Sequence, residues 1–288
     1  MTGELRQDRA AEADGGREEG RADGAAPGSA ADVLVERRGP VLVVRLNRPR
    51  VRNALTRAMA ERIAAAFAEL DESAELRVGV LTGTPPAFCA GMDLAAFARG
   101  ERASLPGRGF GGLTERPPAK PLIAAVEGAA VGGGFEMVLA CDMVVASVDA
   151  AFALPEVRRG LVAAAGGLLR LPRAIAPVVA MEMALTGEPI DAQRAFALGL
   201  VNRVVPAGTA VAAACELGER IAAHAGHAVL ASKAVLAGAR DGELAEQYRS
   251  HRALLADIID SPGARAGARD FVHGRTGGHS GGHSGGRR

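Results

Sequence analysis

Two glutamates and a run of three glycines are the residues best suited to chemistry in this 288-residue chain. Gly132-Gly133-Gly134-Phe135-Glu136 follows the apolar string LIAAVEG (122–128). Consecutive glycines after a strand let backbone approach a ligand closely. A helix starting there turns its unpaired N–H groups outward, where they and the helix dipole stabilise an anion. The same glycines also suit a tight strand-to-helix turn that binds nothing. They are contiguous, which disfavours a GxGxxG dinucleotide fingerprint. A second turn of this kind is Phe88-Cys89-Ala90-Gly91-Met92-Asp93-Leu94. Two such turns, each offering a backbone N–H, can form an oxyanion hole. Glu136 lies one turn into the helix after the triplet, and Glu156 follows Phe152-Ala153-Leu154-Pro155. Taken singly, each glutamate reads first as a surface or helix-terminal charge. In apolar surroundings a carboxylate has a raised pKa and serves as acid or base near neutral pH.

Other chemistries find less support. All six histidines lie at or after position 224, so a Ser-His-Asp or Cys-His site would need its base from the last quarter of the chain. Cys89 reads as a small buried thiol rather than a nucleophile. Cys89, Cys141 and Cys215 form no CxxC pair, which argues against a disulfide framework or structural zinc and for a reducing, cytoplasmic location. Lys+Arg of 34 against Asp+Glu of 33 gives a net charge of +1, with no basic excess for nucleic acid. No apolar run approaches the roughly eighteen residues of a membrane span, and the polar, acid-containing start resembles no signal or transit peptide.

The elements that must position these residues follow from pattern. Residues 1–31 and 274–288 read as tails, too poor in large apolar groups to offset ordering entropy. The second contains seven glycines in fifteen residues within a His-Ser-Gly-Gly repeat. Between them, VLVER and VLVVRL around Arg38-Gly39-Pro40 predict a β-hairpin. Leu55, Met59, Ile63, Phe67 and Leu70 predict a helix over 54–70. VGVLT (78–82), LIAAVEG (122–128) and DMVVAS (142–147) predict strands buried on both faces. Helices are expected near 165–174, 177–185, 191–198, 210–224, 227–239, 241–258 and 262–272, with a short strand at 200–205. Strand-helix alternation makes the fold α/β.

Longer strings carry a resemblance. LNRPRVRNAL (46–55), FCAGMDL (88–94), IAAVEGAAVGGGFEMVLACDMVVAS (123–147), FALPEVRRGLV (152–162) and MALTGEPIDAQRAFALGLVNRVV (183–205) resemble the enoyl-CoA hydratase/isomerase family, the crotonases, over about 33–273. The resemblance implies a spiral of ββα units over 32–205 with the active site, and a helical C-terminal region over 206–273. It implies a homotrimer or dimer of trimers, with that region between subunits. It assigns the oxyanion donors to the N–H groups of Met92 and Gly133, with Asp93, Leu94 and Ala95 beside the substrate. It assigns the catalytic pair to Glu136 and Glu156, and CoA contacts to Arg52, Asn53, Ala54, Phe271 and Arg275. The substrate is an acyl-CoA thioester, with no metal and no cofactor beyond the CoA the substrate carries.

Because both glutamates are present, the resemblance favours reversible syn hydration of a trans-2-enoyl-CoA to a 3-hydroxyacyl-CoA. Isomerase members often keep only the later one. The chemistry agrees: a thioester carbonyl accepts charge as an enolate, two N–H donors stabilise it, and two carboxyl groups divide the proton work on one water. The alternatives are an isomerase, a carnitinyl-CoA-dehydratase-like enzyme of a specialised acyl-CoA, and a non-catalytic acyl-CoA-binding relative. Met92 stands where many hydratases have Ala, Ala163-Ala164 where short-chain hydratases have Pro-Gly, and Gly274 at a usual Lys place. VAAAGGLLRLPR (162–173) is closer to members resembling carnitinyl-CoA dehydratase.

Overall fold

A computed structural model describes residues 32–238. The hairpin forms as the pattern predicts: β1 (Val33–Arg38) pairs antiparallel with β2 (Val41–Leu46). Then follow α1 (Arg57–Glu72), β3 (Val78–Gly83), β4 (Ala87–Cys89), α2 (Leu94–Ala98), β5 (Ser104–Leu105), β6 (Gly109–Phe110), β7 (Leu122–Val126), β8 (Ala129–Val131) and α3 (Gly133–Leu139). The chain continues through β9 (Met143–Ser147), β10 (Ala151–Ala153), a 3-10 turn (Glu156–Arg159), α4 (Gly167–Ala174), α5 (Pro177–Thr186) and β11 (Ile190–Asp191). It ends, among the described residues, with α6 (Ala192–Ala197), β12 (Arg203–Val205), α7 (Ala210–Ala222) and α8 (Gly226–Gly238).

Six strands make the main sheet in the order β1-β2-β3-β7-β9-β12, parallel from β2 onward. Its near-continuous apolar strands are covered on both faces, and the alternation separates two cores. Leu42, Val44, Leu81, Leu122, Ala124 and Val144 face one core, beneath α1. Val41, Val43, Val80, Ile123, Ala125 and Val145 face the other, where Ala210, Ala214 and Cys215 of α7 cover them. Glu127 fixes that cover, accepting hydrogen bonds from the N–H groups of Gly208 (3.0 Å) and Ala210 (2.8 Å).

A second sheet, β11-β10-β8-β4, runs alongside. Its parallel strands are the second members of successive units: β3-β4-α2, β7-β8-α3, and β9-β10 with the 3-10 turn. This is the expected ββα spiral. Each short strand ends where a helical turn begins, so three turns open side by side at one edge.

Several expected boundaries move. The helix expected over 54–70 starts at Arg57, because Thr56 caps it by accepting from the Met59 N–H and Leu55 is held in a β-bridge to Met92. The expected face is nonetheless buried, from Met59 through Ile63 and Phe67 to Leu70. The strand expected at 200–205 spans only Arg203–Val205. The helix expected near 165–174 starts at Gly167, after Gly166 in a left-handed turn (φ 96°). The helices expected at 241–258 and 262–272, and both tails, lie outside the described residues.

Candidate active site

The first wall of the site is the turn after β4. Gly91 adopts φ +88°, a region that L side chains rarely enter. Around it the Leu55 N–H donates to the Gly91 carbonyl (2.8 Å), and the Asp93 N–H donates to the Leu55 carbonyl (3.0 Å). In such a parallel bridge the residue between the two bonds turns its own amide the other way. That residue is Met92. Asp93 caps α2 by accepting from the N–H groups of Ala95 and Ala96, both at 3.0 Å, and pairs with Arg48 at 2.9 Å. Burial pushes its carboxyl up, but the Ala96 amide and the Arg48 guanidinium outweigh this and hold it below the usual range. Leu94 and Ala95 are exposed beside it.

Asn53 anchors this wall. Its φ is +57°, and its side chain is fully buried. The carboxamide donates to the carbonyls of Thr84 (2.8 Å), Ala87 (2.7 Å) and Phe88 (3.2 Å), and accepts from the Arg48 N–H (2.8 Å). An expected CoA contact at Asn53 therefore cannot involve its side chain, because the loop carbonyls occupy it. The Ala54 carbonyl is likewise taken by Arg48 at 2.7 Å, while Arg52 is exposed. Phe271 and Arg275 lie outside the described residues. Cys89 is buried, donates to the Asn53 carbonyl (3.2 Å) and is pushed up to about 12 by burial, as a structural thiol should be.

The second wall is the turn after β8. Gly132 has φ +56° and ψ −128°, a backbone shape effectively reserved for glycine. The two walls touch: a Cβ built on Gly91 would lie 3.1 Å from the Gly133 nitrogen. The Phe110 ring packs against Gly133, where a Cβ would stand 2.5 Å from its Cε1. As the first residue of α3, Gly133 has no carbonyl within the helix for its N–H.

Glu136 lies one turn further along α3 and is only 3 % exposed. Its Oε1 accepts from the N–H groups of Ala165 (2.8 Å) and Gly167 (2.9 Å), at the start of α4. Burial pushes its pKa up, while the Gly167 and Ala165 amides and the Arg170 charge pull partly against that. Glu156 opens the 3-10 turn after β10. Its Oε1 lies over Gly132, 2.9 Å from where a Cβ would be. Its Oε2 is buried with no hydrogen-bond partner among the described residues. Burial raises its pKa most, its own backbone amide and the Arg159 charge pull partly against that, and the charge of Glu136 adds to the rise.

Four of the expected residues thus come together: Met92, Gly133, Glu136 and Glu156, each just past a strand of the second sheet. Beside Glu156 opens a cavity of about 430 Å³ lined by apolar side chains including Leu154, Val162, Ala163, Leu168 and Met181. Sequence reasoning missed the amides of Ala165 and Gly167, the Phe110 ring and Arg170. The adjacent Gly166-Gly167 pair ahead of an apolar run was the available signal for the amides. Among the described residues, no group of three or more His, Cys, Asp or Glu gathers to hold a metal, and no helix is long and apolar enough to cross a membrane.

Known proteins share long stretches of this sequence and its fold. Residues 36–279 match the model of the family described as enoyl-CoA hydratase/isomerase. A carnitinyl-CoA dehydratase of Proteus mirabilis is 41% identical over 219 residues, 75% of this chain and 84% of that protein. A mevalonyl-coenzyme A hydratase of Beauveria bassiana is 44% identical over 214 residues, 70% of this chain and 76% of that protein. The crystal structure of an enoyl-CoA hydratase from Mycobacterium marinum superposes with a TM-score of 0.83 at 48% identity, covering 85% of this chain and 97% of that one. Strand-end turns, paired glutamates and long shared sequence converge, and the chain belongs to the enoyl-CoA hydratase/isomerase family.

Proposed function

We propose that this protein is a hydratase that adds water across the double bond of a trans-2-enoyl-CoA with an apolar acyl group. The observation that carries the reading is the pair of unlike carboxyl groups, near enough for the charge of one to act on the other. Glu136 is steadied by two amides and the Arg170 charge, which favour its ionised form; Glu156 has one buried oxygen with no partner among the described residues, and burial and the Glu136 charge raise it against its own amide and Arg159, which favours its protonated form.

The division of work follows. Glu136 takes a proton from water as the water oxygen attacks Cβ. The alkene electrons move onto the thioester oxygen, where the N–H groups of Met92 and Gly133 stabilise the enolate. Glu156 gives its proton to Cα. Passing the proton gained by Glu136 back to Glu156 resets the pair, so both added groups come from water. The reaction needs an electron sink and two proton carriers, and these residues with the thioester supply them.

The similarity to a carnitinyl-CoA dehydratase favours a second reading, a charged acyl group. The cavity beside Glu156 argues against it: among its described lining residues none is aromatic, and the one acid is Glu156 itself. A quaternary ammonium ion is recognised by aromatic faces or carboxylates, and in apolar surroundings it loses its hydration without return. A cation beside Glu156 would also hold that group ionised and unable to donate. The exposed face of α5, with Val178, Met181 and Leu185, supports the further reading that subunits associate.

Loss of enoyl-thioester absorbance, followed with EDTA present, tests the activity. A straight-chain 2-enoyl-CoA should turn over at least ~10-fold more efficiently than its trimethylammonium-bearing counterpart. Preference for the cation would overturn the apolar acyl assignment. Double-bond migration without water addition would overturn the hydratase.

A further inference from the structure

Arg170, on the first turn of α4, joins the two halves of the site. Its Nη2 donates to the Thr114 carbonyl. The Thr114 N–H in turn donates to the Phe110 carbonyl at 3.2 Å, closing the turn that holds the Phe110 ring against Gly133. At its other end, the Arg170 N–H donates to the Gly166 carbonyl at 3.0 Å, within the segment whose Ala165 and Gly167 amides hold Glu136. The guanidinium also passes against Gly166 so closely that a side chain there would collide with it.

We propose that Arg170 is a positioning residue whose guanidinium straps the seat of Glu136 to the Phe110 turn, fixing the base relative to the Gly133 amide. The proposal rests on the reading of Glu136 as the base. One charged side chain acts on Glu136, Arg170 from α4, while the charge of Glu136 acts in turn on Glu156. The strap therefore has an electrostatic signature as well as a mechanical one. Its positive charge favours the ionised carboxylate, so its loss makes Glu136 harder to deprotonate.

The test compares Arg170→Gln and Arg170→Lys with Glu136→Gln, measuring kcat and KM against pH on the best enoyl-CoA. Arg170→Gln should lower kcat by ~10–100-fold through misplacement of the base. KM should change little, and the acid limb of the kcat profile should move to higher pH. Arg170→Lys keeps the charge but lacks the planar fork, so its acid limb should stay in place while kcat falls several-fold. An unmoved limb or a wild-type kcat in Arg170→Gln overturns the proposal. If that variant does not fold, a wild-type kcat in Arg170→Lys overturns it. Full activity in Glu136→Gln would instead remove the reading of Glu136 itself. A damaged Glu136→Gln alongside a wild-type Arg170→Gln removes the strap alone.

Discussion

Glu136 and Glu156 stand near enough for the charge of one to act on the other, yet on unlike seats. Glu136 stands on an α-helix, with one oxygen held by two backbone amides. Glu156 stands on a four-residue 3-10 turn, with one buried oxygen that no described group meets. Both are carboxyl groups lifted by burial, yet the donors around them differ in kind and number. Residue type therefore does not set the role here. On the roles proposed above, the surroundings do: two amides and Arg170 support the charge of Glu136, whereas Glu156 has its own amide, Arg159 and the opposing charge of Glu136.

The most severe way to break this contrast is to remove each acid in turn. Glu136→Gln and Glu156→Gln should each lower kcat by about 10²–10⁴, the usual worth of a positioned acid or base. If they serve one water, the double variant should lose far less than the product of the two losses. Multiplicative losses in steady-state kinetics would mean that they act in separate steps. Damage confined to Glu156→Gln would favour a one-base isomerase.

A milder intervention disturbs one seat and spares the other. Gly167→Ala would place a Cβ 2.8 Å from Cγ of Glu136, and Gly132→Ala would place one 2.9 Å from Oε1 of Glu156. Each should cost about 10–100-fold in kcat by moving its own glutamate. Gly132→Ala should also lower the Tm more, because its backbone lies at φ +56° whereas Gly167 is helical. Equal Tm losses in a melting experiment would contradict that ranking.

The smallest expected effect is thermodynamic. Both carboxyls are raised above their ordinary value of 4.5. Below that value, folded and unfolded chains both carry the proton, and the glutamates are neutral in effect. Between the unfolded and folded values the unfolded chain ionises first, so each group costs stability, fully so above its folded pKa. Neutralising either by Gln should raise the Tm by ~1–4 °C near pH 8 and leave it unchanged near pH 4. Glu156→Gln should gain more, since Glu136 already has two amides to support its charge. A larger gain for Glu136→Gln in calorimetry would reverse the assignment of base and acid.

What the sequence revealed follows physical range. The α1 face is long enough to display a period and the strands β2, β3, β7 and β9 long enough to display an apolar run, and they are where the pattern puts them. Strands β4, β8 and β10 have three residues each, too few for any period, so the second sheet is invisible locally. Glu136 and Glu156 stand out through the strings around them. The partners that differentiate them do not, because an amide donor such as Ala165 leaves no mark in residue type. Asn53 shows the opposite failure. The resemblance puts Asn53 at a CoA contact, but its left-handed backbone turns the carboxamide inward to three carbonyls 31 to 35 residues away.

The bridge between Leu55 and Met92 has a consequence for how this scaffold can be altered. The direction of the Met92 amide is imposed by bonds that its neighbours make, through Gly91 and Asp93, and not by anything in its own side chain. Position 92 therefore has two settings: a backbone whose aim its neighbours hold, and a half-buried side chain, packed against the core, whose size can change without altering those bonds. Selection, natural or in the laboratory, can reshape the room next to the thioester there without re-aiming the donor we assign to it. That separation follows from two hydrogen bonds that Leu55 makes with Gly91 and Asp93, on either side of Met92.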